Sequence, residues 1–277
     1  MTIVITTVAF VTAVAAAVRS TWSPCGLSML STITPIGERG RGNQFRTTAT
    51  WFVVGAVVGG ATLGSAMGAL AVGVHALHPS PAVTGAVAAV ALAVAALSDL
   101  GPGGFHLPGH HRQVNERWLD QFRAWVYGAG FGWQIGTGLA TYILTAAVYL
   151  LILLGALTGS PVTALALGSL FGLVRGLSVL LGRRATSPGA LRELLRRFAE
   201  LGPRARDALV GVELASCVAV LGALWPPAAP ALGGAALAAV AAVAGLGVGV
   251  GRRGSHAPRG STRRVRPDVS PGATAPR

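Results

Sequence analysis

Few side chains in this 277-residue sequence have the types and spacing for chemistry, and most of them stand inside apolar runs. Two cysteines, Cys25 and Cys217, allow at most one redox pair and exclude both a disulfide framework and a structural zinc site built from thiolates. Arg175 and Glu213 each lie about seven residues from the arginine-rich end of an apolar run, so a helical rise of ~1.5 Å per residue brings them to similar depth. Opposite charges at one depth on consecutive antiparallel helices are expected to pair, either as a salt bridge that locks the helices or within a proton or ion relay that titrates at Glu213. Asp99, near the end of its own run, is expected to reach water. His106, His110 and His111 share a connection with Glu116, but Pro108 and Gly109 break any helix that would turn His106 and His110 the same way. A solvated loop is expected there, with no metal. The glycines that could imitate a phosphate loop or a dinucleotide fingerprint sit within apolar runs rather than between a strand and a helix. Neither an enzyme nor a cofactor is expected.

The elements that must position these residues follow from composition. Hydrophobic residues make up 52% of the chain and charged residues 11%, against about 25% charged in a soluble domain. The apolar residues gather in runs near the length that spans a hydrocarbon core of roughly 30 Å. Runs are read over 3–34, 49–74, 82–99, 126–156, 162–182, 206–225 and 231–250. The expected fold is therefore an all-α polytopic transmembrane helix bundle of about seven spans. Its membrane domain covers 1–251 as two halves, about 1–100 and 124–225, plus an extra helix at 231–250; residues 252–277 form a disordered arginine-rich tail. The first and fourth runs exceed a straight crossing, so tilt, a kink or a discontinuous helix must absorb the excess. Ala13-Val14-Ala15 imitates a signal cleavage site, but no basic residue precedes Arg19, which argues for an uncleaved helix.

Orientation follows from arginine, which supplies all 22 basic residues of a chain with net charge +13. Arginines crowd the connections after the first, third and fifth runs, whereas His75 to Pro81, Thr158 to Pro161 and Trp225 to Pro230 contain none. The rule that positive loops stay inside puts the amino terminus outside and the carboxy terminus in the cytoplasm of a cell's inner membrane. Topology and anionic lipid account for the arginines, so the bilayer is the expected partner and nucleic acid is not. Ser187 and Pro188 can start a helix whose Leu191, Leu194, Leu195, Phe198 and Leu201 share one face, an interfacial amphipathic helix expected to end at Gly202 and Pro203.

Runs one to three and four to six have the topology of a 3+3 inverted repeat. Gly60, Gly64 and Gly68 in the second run and Gly168, Gly172 and Gly176 in the fifth form ridges at i, i+4 and i+8 that allow close backbone approach. Runs one and four each carry a helix-weakening stretch after a tryptophan, Trp22 to Leu27 and Trp133 to Leu139. Irregular backbone at membrane depth must line protein or a wet cavity. The two breaks therefore frame a candidate site for a small solute or ion, lined by Ser23, Pro24, Cys25, Thr32, Gln134, Gly136, Thr137 and Thr141. Two simple kinks are the rival reading.

Ser23-Pro24-Cys25-Gly26-Leu27, followed by Thr34-Pro35, resembles the first helix of the transmembrane thiol-disulfide carriers of the DsbD/CcdA type, whose scaffold extends to lysine-exporter-like families. The resemblance implies six core helices in two inverted halves. Of the family's redox pair only Cys25 carries over: aligning Trp22 with Trp133 puts Gly136 where the second cysteine would stand. The expected function is thus transporter-like or exporter-like. The alternatives are a thiol-disulfide carrier using Cys25 and Cys217 with a thioredoxin-like partner, or a non-transporting membrane scaffold.

Overall fold

The structure, a computed structural model, describes residues 1–109, 118–141 and 143–225; among these it is helical, with no strand. One local signal starts helix after helix. In each of Ser23-Pro24, Thr34-Pro35, Ser80-Pro81, Ser160-Pro161 and Ser187-Pro188 the hydroxyl oxygen accepts a backbone N–H three residues on, and proline occupies the first helical position. Proline has no N–H to leave unsatisfied there, and its fixed φ suits the helix.

The first expected run is two helices, α1 (Thr2–Ser20) and α2 (Pro24–Thr32), separated at residues 21–23. A short α3 (Pro35–Gly40) leads into α4 (Phe45–Ala76), and α5 (Pro81–Leu100) ends at Gly101, whose φ of 66° suits a residue without a side chain. After the short α6 (Trp118–Gln121), the fourth run is also interrupted: α7 (Ala124–Thr137) stops at Gly138, φ 68°, and α8 begins only at Ala147 and runs to Leu157. Then α9 (Pro161–Leu177) tightens into a 3-10 stretch over Ser178–Arg184, and α10 spans Pro188–Leu224. The seventh run at 231–250, the tail at 252–277, and His110, His111 and Glu116 lie outside the described residues.

One expectation is corrected. The amphipathic helix does not end at Gly202 and Pro203; α10 passes through Pro203 into the sixth run. Proline deprives the Ala199 carbonyl of its helical donor, which bends a helix without having to end it. One side of the first half of α10 carries Arg196 and Arg197 paired with Glu193 and Glu200, at helical spacing. Its Phe198 lies under Trp22 from the break in the first run: the rings stack at 4.2 Å, and the indole N–H donates to the Phe198 carbonyl at 2.7 Å.

At the centre α4 packs along α9 and α7. The two expected glycine ridges meet: a Cβ built on Gly60 would stand 2.2 Å from the Gly168 carbonyl oxygen, and one on Gly172 would stand 2.1 Å from that of Ala56. Only glycine permits backbones this close. A third ridge on α7, Gly128, Gly132 and Gly136, lies against Thr48, Phe52 and Ala56 of α4 in the same way. Around this core α5 lies along α10, and α1 packs on α8, α9 and α10. Outward positions are apolar, with Val90 64% and Val162 77% exposed. Five described helical segments are long and apolar enough to cross a bilayer. Helices apolar on their outer faces need lipid rather than water there, and the chain is a multi-pass membrane protein.

Candidate functional site

A helix that stops inside a bundle gathers partial negative charge at its carbonyl end, even where tight-turn N–H groups reach the last carbonyls, as those of Ser23 and Gly138 reach Ser20 and Ile135 at 3.1 Å. Two such ends meet here. Arg175 of α9, 2% exposed, donates from Nη1 to the Ile135 carbonyl near the end of α7 at 2.7 Å, and from Nη2 to the Ser20 carbonyl at the end of α1 at 3.4 Å. Its guanidinium also stands over the Phe171 ring, 5.6 Å from the centroid. One side chain thus ties both interrupted runs together, and the cation is compensated by carbonyl dipoles.

Arg175 and Glu213 therefore do not form the expected ion pair. Both Glu213 carboxylate oxygens are buried without a hydrogen-bond partner among the described residues. Depth alone could not decide the pairing, because the direction in which a helical side chain points turns by about 100° per residue.

The expected lining residues take local roles at the breaks. Ser23 caps α2 and is fully buried, while Pro24 starts that helix. Thr32 donates back to the Ser28 carbonyl at 2.8 Å, and Thr137 to the Gln134 carbonyl at 2.8 Å. Gly136 holds the backbone approach to Ala56. Thr141 is fully buried, and its hydroxyl has no partner among the described residues. Cys25 packs with Met29, Phe52, Tyr127, Phe131 and Ile135, within electrostatic reach of Arg175. Cys217 lies on α10 against α5, its thiol donating to the Ala89 carbonyl at 3.5 Å. The two thiols belong to separate clusters, and no disulfide joins them.

The non-helical stretch between α7 and α8 borders a cavity of about 350 Å³ with a mixed wall, lined by Ile143 to Ala146 together with Ser98, Asp99, His106, Leu107 and Tyr149. Asp99 accepts from the Thr145 hydroxyl and, at 3.0 Å, from the Ala146 N–H, which places a carboxylate at the start of α8 where the helix dipole favours it. His106 Nδ1 lies 3.0 Å from the Ser98 carbonyl. A neighbouring cavity of about 360 Å³ shares Ser98, Asp99, His106 and Leu144 and adds Arg19 and Arg206. No metal-ligating cluster occurs among the described residues.

A second polar centre was not read from sequence. Glu38, fully buried, accepts from the Tyr127 hydroxyl at 2.5 Å, from Thr48 at 2.6 Å and from Arg41 at 3.0 Å, and Asn43 donates to the Tyr127 oxygen at 3.3 Å. These bonds clamp α3 to α4 and α7. In sequence Glu38 stands in an arginine-rich connection and looks like a solvated charge. The available signal was Thr34-Pro35, which starts a helix and turns the residue one turn later inward.

Among known proteins the chain is similar to the methylamine utilization protein MauF of Paracoccus versutus, 30% identical over 179 residues that cover 60% of this chain and 61% of that protein. The MauF of Paracoccus denitrificans is 32% identical over 176 residues, 60% of each chain, and that of Methylophilus methylotrophus 28% identical over 183 residues, 65% of this chain and 64% of that one. The chain spans about three fifths of the length of these curated relatives. No family model matches the sequence, and no solved structure matches it.

Proposed function

We propose that the chain is a transporter-like or exporter-like protein for a small solute or ion, serving methylamine utilization from the cell's inner membrane with its amino terminus outside. The observation that carries this reading is the paired interruption of the first and fourth runs around Arg175, with the non-helical stretch of the fourth bordering a cavity whose polar groups include Asp99 and His106. Discontinuous helices at midplane are how many transporters present backbone dipoles to a solute. The non-transporting scaffold offers no reason to interrupt two spans and join their ends through one arginine.

We read the scaffold as two inverted halves of the DsbD/CcdA type. The pattern of helix contacts supports this. With α1–α2, α4 and α5 as the spans of one half and α7–α8, α9 and α10 as those of the other, the contacts α1·α8, α4·α9 and α5·α10 join first span to first, second to second and third to third, the broken spans each counted whole. Counted by whole spans, α4·α7 and α1·α9 both join a first span to the other half's second, and α1·α10 and α5·α8 both join a first span to the other half's third. The thiol-disulfide alternative with a thioredoxin-like partner draws less support, because Cys25 and Cys217 pack in separate clusters.

Transport is tested with the full chain in liposomes, following uptake of labelled methylammonium and a panel of small amines and ions. Chain-dependent uptake that Asp99→Asn abolishes, with the folded yield unchanged, is the expected result. Absence of uptake for every solute overturns the reading. Oxidation state exchanged with a thioredoxin, and lost in Cys25→Ser, would put the redox alternative in its place.

A further inference from the structure

The arginine-rich end of the bundle carries a groove that the solute site does not use. It lies between the start of α4 and the 3-10 stretch after α9, encloses about 740 Å³, and its wall is largely apolar, with Val53, Val54 and Leu180 among its side chains. Three arginines, Arg46, Arg183 and Arg184, stand on the same groove. None of their side chains makes a hydrogen bond or an ion pair with a described residue, whereas the side chains of Arg41, Arg196, Arg197 and Arg206 of the same end all do. The mouth also lies at the N-terminus of α4, where Gln44 makes no side-chain capping bond. From Arg46 to Val54 is eight residues of helix, about 12 Å of axial rise, so the trough runs from the charged mouth well into the apolar band.

From this pairing of an uncompensated guanidinium cluster with an apolar trough at membrane depth, we infer that the groove binds an anionic phospholipid, its phosphate held by Arg46, Arg183 and Arg184 and its acyl chain lying along Val53, Val54 and Leu180. A free phosphate would satisfy the arginines and leave the trough empty. A zwitterionic lipid would fill the trough but bring its own cation to the arginines. Residues 252–277 are a poor occupant, since they carry seven arginines and a single acidic side chain, Asp268. Basic pockets between helices at the cytoplasmic surface are suited to anionic headgroups in general.

The test is native mass spectrometry of the full chain in non-ionic detergent, titrated with phosphatidylglycerol and with phosphatidylcholine of the same acyl chains. Phosphatidylglycerol is expected to bind selectively. The combined Arg46→Gln, Arg183→Gln, Arg184→Gln variant is expected to bind it about a hundredfold more weakly. A control with the same loss of charge, Arg39→Gln, Arg192→Gln, Arg204→Gln, is expected to keep affinity within about twofold of the parent, because those residues do not line the groove. Val54→Trp fills the trough without changing charge and is expected to weaken binding of the two-chain lipid. Equal binding of the two lipids, equal loss in the control variant, or displacement of the lipid by excess inorganic phosphate overturns the inference.

Discussion

At the scale of single residues, Arg175 is the side chain on which most else rests. Its two backbone acceptors belong to different broken runs, and each also accepts a backbone N–H, from Ser23 and from Gly138, so removing the guanidinium takes away the second donor of each carbonyl and unties the two runs at this point. Arg175→Met is therefore expected to lower stability by about 2–4 kcal/mol, read from thermal unfolding of the purified protein in detergent. Arg175→Lys is expected to recover less than half of that, since a single ammonium does not reproduce the planar fork. Because Arg175 and Glu213 share no contact, a double-mutant cycle of Arg175→Met with Glu213→Gln is expected to be additive to within about 0.5 kcal/mol. A larger coupling would mean that the two charges meet after all. At the second polar centre, Tyr127→Phe removes one of three donors to a buried carboxylate and is expected to cost about 1–2 kcal/mol in the same measurement.

At the scale of elements, the three glycine ridges decide how closely the helices approach. Gly132→Ala would put a Cβ 2.0 Å from the Phe52 carbonyl oxygen and Gly168→Ala one 2.3 Å from that of Gly60, so each is expected to destabilise by about 2 kcal/mol or more. Gly73, on the same α4 but with open space beside it, serves as control: Gly73→Ala is expected to be neutral or mildly stabilising in the thermal unfolding assay. These elements were legible in the sequence to unequal degrees, for a physical reason. Interruptions at Pro24 and Gly138 are local events, dictated by a missing N–H or a missing side chain, and hydropathy with prolines and glycines suffices to anticipate them. The ridges of α4 and α9 were visible as spacings. That of α7 has the same spacing, but its Gly136 stands beside Gly138 at the interruption, and in a sequence a glycine that admits a neighbour looks the same as one that weakens a helix. What a side chain meets across the bundle is a different matter. Arg175 was assigned to Glu213 from depth alone, whereas its true acceptors are backbone carbonyls, which carry no residue identity and leave no trace in a sequence. Glu38 was missed because burial of a charge depends on helices distant in the chain.

At the scale of the whole molecule, the connections sort to two ends. His75, His78, Pro79, Thr158 and Gly159 gather around Met1 at one end, while the Ile36 N–H meets the Ala185 carbonyl at the other. Cysteines introduced at Ser80 and Ser160 of a Cys-free chain are therefore expected to react with an impermeant maleimide in intact cells, and those at Gly40 and Ser187 only after lysis. The reverse pattern would invert the orientation while leaving the bundle as it is. The stacking of Trp22 on Phe198 gives this architecture a mechanical property. The amphipathic stretch and the sixth span are one continuous helix that runs through Pro203, and the indole fastens it to the gap between α1 and α2. Force applied to residues 188–201 would thus be delivered at the gap between α1 and α2. The surface stretch is anchored to the bundle twice, by the ring stack at that gap and by its own helical continuation past the exposed Pro203.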